Sequence, residues 1–196
     1  FTWNAQGGTL GGSYTSGDEI SYGTTIIAPT TVTKAGYTFD VWSYVVGENE
    51  PTAEMPTTMP DADVTATANW IYDPSYTAEI TSTNASPEYG EDNDVKVVIN
   101  NLSSAEGQAT NYVWTVDGTE ISNTTDTFDA SNLGVGEHTV KCVVTISNGT
   151  DSVTEELEKT ITVTKAIRFA DEVLFLGNDF MDRYEEPSVH RQNEQI

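Results

Sequence analysis

At 196 residues the chain has room for one large domain or two small ones, and its hydrophobic content of 37% is low for a globular protein. The formal net charge of -23, from 31 acidic and 8 basic residues, repels phosphate groups and argues against nucleic acid and anionic membrane surfaces as partners. Abundant Thr, Ser, Asn and Gly between short alternating apolar runs predict an all-β protein with many turns.

The single cysteine, Cys142, excludes an internal disulfide, which fits a bacterial surface protein better than a small secreted eukaryotic domain. No apolar run is long enough to predict a membrane-spanning helix. Because the chain begins at Phe1 without a methionine, we expect a fragment whose signal peptide and anchor lie outside it.

The central strand of the N-terminal region is predicted over residues 34–42. Tyr37, Phe39 and Val41 alternate with polar residues there, which is the period of a half-buried strand with one apolar face. Trp42 breaks the alternation and predicts a bulge that turns its indole back onto the sheet.

Further strands complete a first module, expected over residues 1–72. They are predicted at residues 1–4, 20–29 and 59–70, and the second of them stops at Pro29. Glycine pairs between the first two strands predict a flexible turn.

This module carries turn glycines and core aromatics in a fixed series. In chain order the series is Asn4, Gly7-Gly8-Thr9, Tyr22-Gly23, Pro29, Ala35-Gly36-Tyr37-Thr38-Phe39, Trp42, Met59-Pro60, Asp63-Val64-Thr65 and Ala68-Asn69-Trp70. It resembles the Listeria–Bacteroides repeat, a family that includes the B-repeats of internalin-type surface proteins. The resemblance implies a small β-grasp-like sheet in an extracellular bacterial protein. One departure is Val41, where the family prefers glycine before the tryptophan.

A second module is expected over residues 73–165. Its alternating inward-facing sets are Val95, Val97 and Ile99; Tyr112, Trp114 and Val116; Phe128; Val140, Cys142, Val144 and Ile146; and Val153, Leu157, Ile161 and Val163. Asp117-Gly118 predicts a turn, and Asn148-Gly149 predicts a type I′ hairpin. About seven short strands with regular turn signals predict a β-sandwich.

Two stretches of the second module, residues 112–118 and 133–144, resemble bacterial Ig-like and PKD-like domains. The resemblance implies that Trp114 is the buried tryptophan of the sandwich. It places Cys142 where an immunoglobulin domain has its second disulfide cysteine, opposite Val97 instead of another cysteine. Cys142 is therefore expected to be a buried, reduced hydrophobic residue.

The tail, residues 166–196, differs from the rest in holding all the arginines of the chain. Phe169, Val173, Leu176, Phe180 and Tyr184 recur at the spacing of an amphipathic helix. The tail either docks on the second module, begins a third domain or is an artificial extension.

Few residues are candidates for chemistry. The two histidines, His138 and His190, have no cysteine or second histidine at ligand spacing, which argues against zinc. Cys142 alternates with core valines, which argues against a nucleophile. No catalytic or cofactor-binding residue is predicted, and an enzyme is the least favoured class.

Calcium is the one metal that the sequence leaves open. Glu91, Asp92 and Asp94 lie in one loop and could supply oxygen ligands, although the spacing is not that of an EF-hand. Asp61 and Asp63 form a weaker candidate in the loop before the last strand of the first module.

The sequence therefore predicts a monomeric, non-catalytic pair of modules at the surface of a bacterial cell, forming a stiff spacer or adhesion segment without a cofactor. Its partner would be an extracellular protein or a glycan. The alternative is a glycan- or protein-binding accessory module of a secreted enzyme. That function requires exposed aromatic rings, for which Trp3, Tyr44 and Trp70 are the candidates.

Overall fold

The computed structural model describes residues 1–17 and 20–166, and over these residues the protein is all-β. Twelve strands and no helix are found there. The prediction of a mainly all-β fold is confirmed. The helix predicted between Phe169 and Tyr184 lies outside the described residues.

The N-terminal half, residues 1–72, is built on a mixed sheet with strand order β1-β5-β4 and a separate β2-β3 ribbon. Strand β1 runs parallel to β5, and β4 runs antiparallel to it. A parallel pair formed by the first and last strands is the arrangement expected of a β-grasp-like sheet. The strands are β1 (Thr2–Asn4), β2 (Thr9–Gly11), β3 (Thr31–Thr33), β4 (Tyr37–Val46) and β5 (Val64–Tyr72).

The prediction of a strand over residues 20–29 is wrong. Gly23 has a φ of 79°, in the left-handed region, and the Thr24 amide donates to Ser21 O at 3.1 Å, so the chain turns there. An isolated bridge between Thr25 and Thr58 is the pairing found in this segment. The apolar residues that suggested a strand belong to a covering loop.

The predicted bulge in β4 is confirmed. Phe39 lies opposite Trp70 and Trp42 lies opposite Ala68, so β4 has one more residue than β5 across this interval. The extra residue reverses the phase of the alternation. Val41, predicted to face inward with Phe39, is therefore 37% exposed, whereas Trp42 is buried.

Asn69 fixes the bulge from the neighbouring strand. Its Nδ2 donates to Val41 O at 3.0 Å and to Ser43 Oγ at 2.7 Å. The backbone carbonyl that the bulge displaces from the ladder is thus satisfied by a side chain.

Aromatic rings fill the core of the N-terminal half. The ring centroid of Trp3 lies 4.8 Å from those of both Phe1 and Trp42. The loops on either side of β3 and β4 contribute Ile26 and Met59 to the same cluster. One face of the sheet is covered in this way by loops and large side chains instead of a second sheet.

The C-terminal half, residues 77–164, contains two sheets with the strand orders β10-β7-β6 and β12-β11-β8-β9. Their shared apolar cluster lies between them, which makes a β-sandwich, as predicted. The seven strands are β6 (Thr77–Ser82), β7 (Asp94–Asn100), β8 (Gln108–Val116), β9 (Thr119–Ile121), β10 (Thr127–Asp129), β11 (Gly136–Ser147) and β12 (Ser152–Val163).

Aliphatic side chains around a single tryptophan fill this second core. Trp114 is fully buried, and its Nε1 donates to Thr125 O at 2.8 Å. Val140, Cys142 and Val144 alternate inward along β11 and are also fully buried. The inward set predicted for this strand is confirmed.

The turn predicted at Asn148-Gly149 has a different form from the expected one. Ser147 pairs with Ser152, so four residues, 148–151, form the loop instead of the two of a type I′ turn. Asn148 Oδ1 accepts the amides of Thr150 and Asp151 at 3.0 and 2.9 Å. The asparagine side chain thus builds a wider turn by bonding to the backbone two and three residues on.

Candidate functional site

The aromatic residues that the sequence offered as exposed ligand contacts belong to the core. Trp3 is 7% exposed and Tyr44 is 4% exposed. Trp70 is half-buried, its ring packs edge-on against Phe39, and its Nε1 donates to Ala5 O at 3.0 Å. Trp3 and Tyr44 are therefore not available as exposed ligand contacts, because loops cover the sheet face on which they lie, and Trp70 is only partly exposed.

The acidic loop proposed for calcium uses its oxygens locally. Glu91 Oε2 accepts the Glu88 amide at 3.0 Å and Asn84 Nδ2 at 3.4 Å. Asp92 and Asp94 are exposed on either side of a buried residue. Over residues 1–17 and 20–166, no group of three or more His, Cys, Asp or Glu side chains is placed to hold a metal ion.

The buried residue of that loop, Asn93, presents a donor to the interior. It is 2% exposed, and its Oδ1 accepts the Asn84 amide at 2.9 Å. This bond fixes the orientation of the side-chain amide and directs Nδ2 inward. Among the described residues, that Nδ2 is buried and has no hydrogen-bond partner.

His138 forms a structural ion pair at one end of the sandwich. Its Nδ1 lies 2.8 Å from Asp117 Oδ2, and its Nε2 lies 2.8 Å from Gly134 O. Both partners only accept hydrogen bonds, so both bonds form when the ring carries two protons. The pKa of His138 is raised above its ordinary value, first by the bond to Asp117 and then by the bond to Gly134.

Asp117 is held in the same arrangement. It accepts the Thr139 amide at 2.8 Å through Oδ1, and its pKa is lowered by the bonds to His138 and Thr139. Asp117 and Gly118 have φ values of 51° and 79°, both left-handed, as in a type I′ turn. The pair thus ties the β8–β9 turn to the start of β11.

Cys142 is not placed to act as a nucleophile. Its side chain is buried between the sheets, out of contact with solvent. Burial raises the pKa of its thiol to about 11, against a smaller lowering by the Val113 backbone hydrogen bond. A thiol in this state is a poor nucleophile at neutral pH.

The lysines on the outer faces of the sandwich pair with carboxylates. Lys96 Nζ lies 3.4 Å from Asp126 Oδ2. Lys141 Nζ lies 3.0 Å from both Glu156 Oε1 and Glu158 Oε2 on the neighbouring strand. These pairs are surface contacts of small individual energy, and those of Lys141 cross to the neighbouring strand.

An open groove of about 560 Å³ lies between β7 and β8, on the side where the two sheets of the sandwich are incompletely flanked. Strand β10 pairs with β7 only along residues 94–96, and β9 pairs with β8 only along residues 114–116. The remaining edges of β7 and β8 border the groove.

The floor of the groove is apolar, and its rim is polar. Val97, Ile99 and Tyr112 are among the floor residues, and the Lys96–Asp126 ion pair lies at the rim. Apolar lining with a few polar groups is one feature of ligand sites, but this groove is open, whereas most ligand sites enclose the ligand. The alternation of β7 predicted its inward residues, but the groove depends on how short β9 and β10 are, for which the sequence carries no clear signal.

No helix within the described residues is long and apolar enough to cross a membrane. Residues 2–74 match the family model of the divergent InlB B-repeat domain. Comparison of the sequence with curated proteins gives no match.

Among solved structures, the fibronectin(III)-like modules of Clostridium thermocellum CbhA are similar at 14% identity with a TM-score of 0.33, and the match covers 46% of this chain and 100% of that chain. The sandwich is defined by the strand order and register of this chain itself. Residues 2–74 thus carry the likeness to internalin-type B-repeats that their glycine and aromatic motifs predict, and that prediction is confirmed.

Proposed function

We propose that this chain is a monomeric, non-catalytic pair of extracellular modules from a bacterial cell-surface protein, where it works as a spacer or adhesion segment without a cofactor. The match of residues 2–74 to the divergent InlB B-repeat domain is the observation that carries the proposal. Repeats of this kind supply turns and core aromatics, and their motifs hold no reactive side chain.

The use of the side chains supports this function. In the described part of the chain, large rings such as Trp3, Trp42 and Trp114 fill two cores, and Cys142 and His138 are occupied in packing and in an ion pair. The net charge of -23 keeps neighbouring copies apart at high surface density.

The proposal is tested by asking whether the chain has a ligand of its own. The purified protein is applied to a broad glycan array and to a panel of extracellular matrix proteins, and its mass in solution is measured by light scattering. A spacer gives flat responses across the array and a monomeric mass. A saturable response to one sugar class would overturn the spacer function in favour of a binding module.

A ligand-binding accessory module is the second candidate, and the groove between β7 and β8 is the observation that favours it. Its apolar floor and its charged rim suit an extended sugar or peptide. Under this alternative, titration of a ligand found on the array shifts the amide NMR signals of Val97, Ile99 and Tyr112 ahead of others.

A pair of lysine variants separates groove binding from general charge effects. Lys96→Ala removes the rim charge, whereas Lys141→Ala removes a lysine that pairs with glutamates on another face. Binding in the groove is weakened by the first variant alone. Equal weakening by both variants would count against the groove.

A further inference from the structure

We propose that the two halves of the chain are docked through one tyrosine-centred joint, so that they move as a single rigid body and not as two modules on a flexible connector. This inference deepens the proposed spacer function and rests on it for its meaning at a cell surface. The joint itself follows from contacts between residues 34–38 and 72–73 on one side and residues 103–107 and 148–151 on the other.

Two tyrosine hydroxyls of the N-terminal half bond to loops of the C-terminal half. Tyr37 Oη donates to Asp151 Oδ2 at 2.6 Å and accepts from Asn148 Nδ2 at 2.7 Å. Tyr72 Oη donates to Glu106 O at 2.7 Å. The bond from Tyr37 to a carboxylate is charge-assisted, and such bonds are stronger than those between neutral groups.

Contacts within the N-terminal half position the two tyrosine rings. Tyr37 lies opposite Tyr72 in the β4–β5 ladder, and their rings meet edge-on with centroids 5.3 Å apart. Lys34 Nζ lies 3.9 Å from the centre of the Tyr37 ring. Both hydroxyls are thus directed outward from the same end of the N-terminal sheet.

The receiving loops are also fixed by bonds of their own. Asn148 Oδ1 accepts two amides within the 148–151 loop. The amides of Glu106 and Gly107 donate to Ser103 O at 3.0 and 3.1 Å. Because both surfaces are already ordered, little conformational entropy is lost when they dock.

The connector leaves the two halves little room to separate. Only residues 73–76 lie between β5 and β6. Asp73 donates from its amide to Gly36 O at 2.9 Å and accepts from Thr38 Oγ1 at 2.7 Å, and Pro74 is buried. A short, anchored connector gives the joint surfaces a high effective concentration for each other.

Close approach of the backbones completes the joint. Gly36 is buried with a φ of 73°, and a Cβ at this position would lie 3.1 Å from Glu106 Cα and 3.2 Å from Glu106 Cβ. Gly107 is buried against the Tyr72 hydroxyl in the same way. Glycine is therefore needed at Gly36 for contact with the other half as well as for its turn.

The test measures the distance between the halves in the full chain. Spin labels are placed by Thr65→Cys on β5 and Thr160→Cys on β12, both exposed strand positions. The native Cys142 is fully buried and does not compete for the label. Pulsed electron spin resonance is expected to give one narrow distance distribution for the unmodified joint.

Two independent variants are expected to broaden that distribution. Tyr37→Phe with Tyr72→Phe removes the hydroxyls and keeps the rings, and each lost hydrogen bond raises the undocked population by about tenfold. Gly36→Asn introduces a residue that tolerates a positive φ, but its side chain is directed at Glu106.

The matched control is Gly23→Asn in the same half. Gly23 has a φ of 79°, and a Cβ there would meet no atom within 4 Å. It imposes the same backbone demand without touching the C-terminal half, so the distribution is expected to remain narrow.

Three results would overturn the joint: a broad distribution in the unmodified chain, narrow distributions in both joint variants, or equal broadening by the control. Each of these would leave the spacer function standing, since a flexible pair can still separate two other parts of a protein. A saturable response to one sugar class on the glycan array would overturn the spacer function and leave the joint standing. The two proposals therefore fail in distinguishable ways.

Discussion

The two halves of the molecule bury apolar surface in different ways. The N-terminal half has a three-stranded sheet with one covered face and a separate two-stranded ribbon, and aromatic rings bridge from that face to the loops. The C-terminal half closes two sheets on each other and fills the space with valine, isoleucine and leucine around Trp114. A loop layer has no regular array of side chains to interdigitate with, so large rings fill the space beneath it. Facing sheets, in contrast, pack well with small branched residues.

The tryptophan at the centre of the sandwich contributes most to the stability of the C-terminal half. Trp114→Ala is expected to lower the free energy of unfolding of the C-terminal half by about 3–5 kcal/mol, because a fully buried ring is replaced by a cavity. Amide hydrogen exchange should then accelerate along β11 and leave β5 protected. Trp42→Ala in the N-terminal half should give the opposite pattern.

Loss of protection in both strands from either variant would mean that the two cores unfold as one, instead of separately.

Cys142 tests how dry the aliphatic core is. Cys142→Ser is expected to cost about 1–3 kcal/mol, because it places a hydroxyl among fully buried valines. Cys142→Ala keeps the site apolar and should cost less. Urea denaturation followed by circular dichroism measures both. A serine variant as stable as the alanine variant would show that its hydroxyl finds a hydrogen-bond partner inside this core, such as the Val113 backbone.

The bulge in β4 offers a smaller test in the aromatic half. Asn69→Ala removes two hydrogen bonds to the bulged strand and should cost about 1 kcal/mol. Thr65→Ala, at an exposed position on the same strand, is the control for the loss of a polar strand residue. Equal costs for the two variants would mean that the bulge holds its shape without Asn69.

The smallest effect is a pH dependence at the far end of the sandwich. The pKa of His138 in the folded state is raised above the ordinary 6.5, so its contribution to stability is complete below that pH and is lost as the pH rises through the raised value. Its pKa is measured by NMR titration of the ring protons. Asp117→Asn should lower it, and a native value at or below 6.5 would contradict the ion pair.

Strand identity in the C-terminal half could be predicted well from the sequence, because alternation along β7, β8 and β11 directly reports which face is buried. The bulge at Trp42 was also predictable, since it breaks a regular alternation. The exposure of Val41 was not, because a bulge moves the phase of every residue on one side of it.

The candidate sites were less predictable, for reasons that lie in tertiary structure. Trp3 and Tyr44 are covered by loops whose paths have no periodic pattern. The joint brings Tyr37 to Asp151, residues 114 positions apart, and no local motif encodes that meeting. The groove exists because two short strands end early. Local patterns specify faces, and they do not specify which ends meet.

The parallel pairing of β1 with β5 has a mechanical consequence. Thr2 lies beside Thr65 and Asn4 beside Thr67, so the start of one strand and the finish of the other point to opposite ends of the sheet. Tension applied through those two ends pulls the strands past each other, and their shared bonds must rupture together instead of unzipping in turn. This half of the protein is accordingly arranged to bear stretching along the direction in which a tethered chain would be pulled.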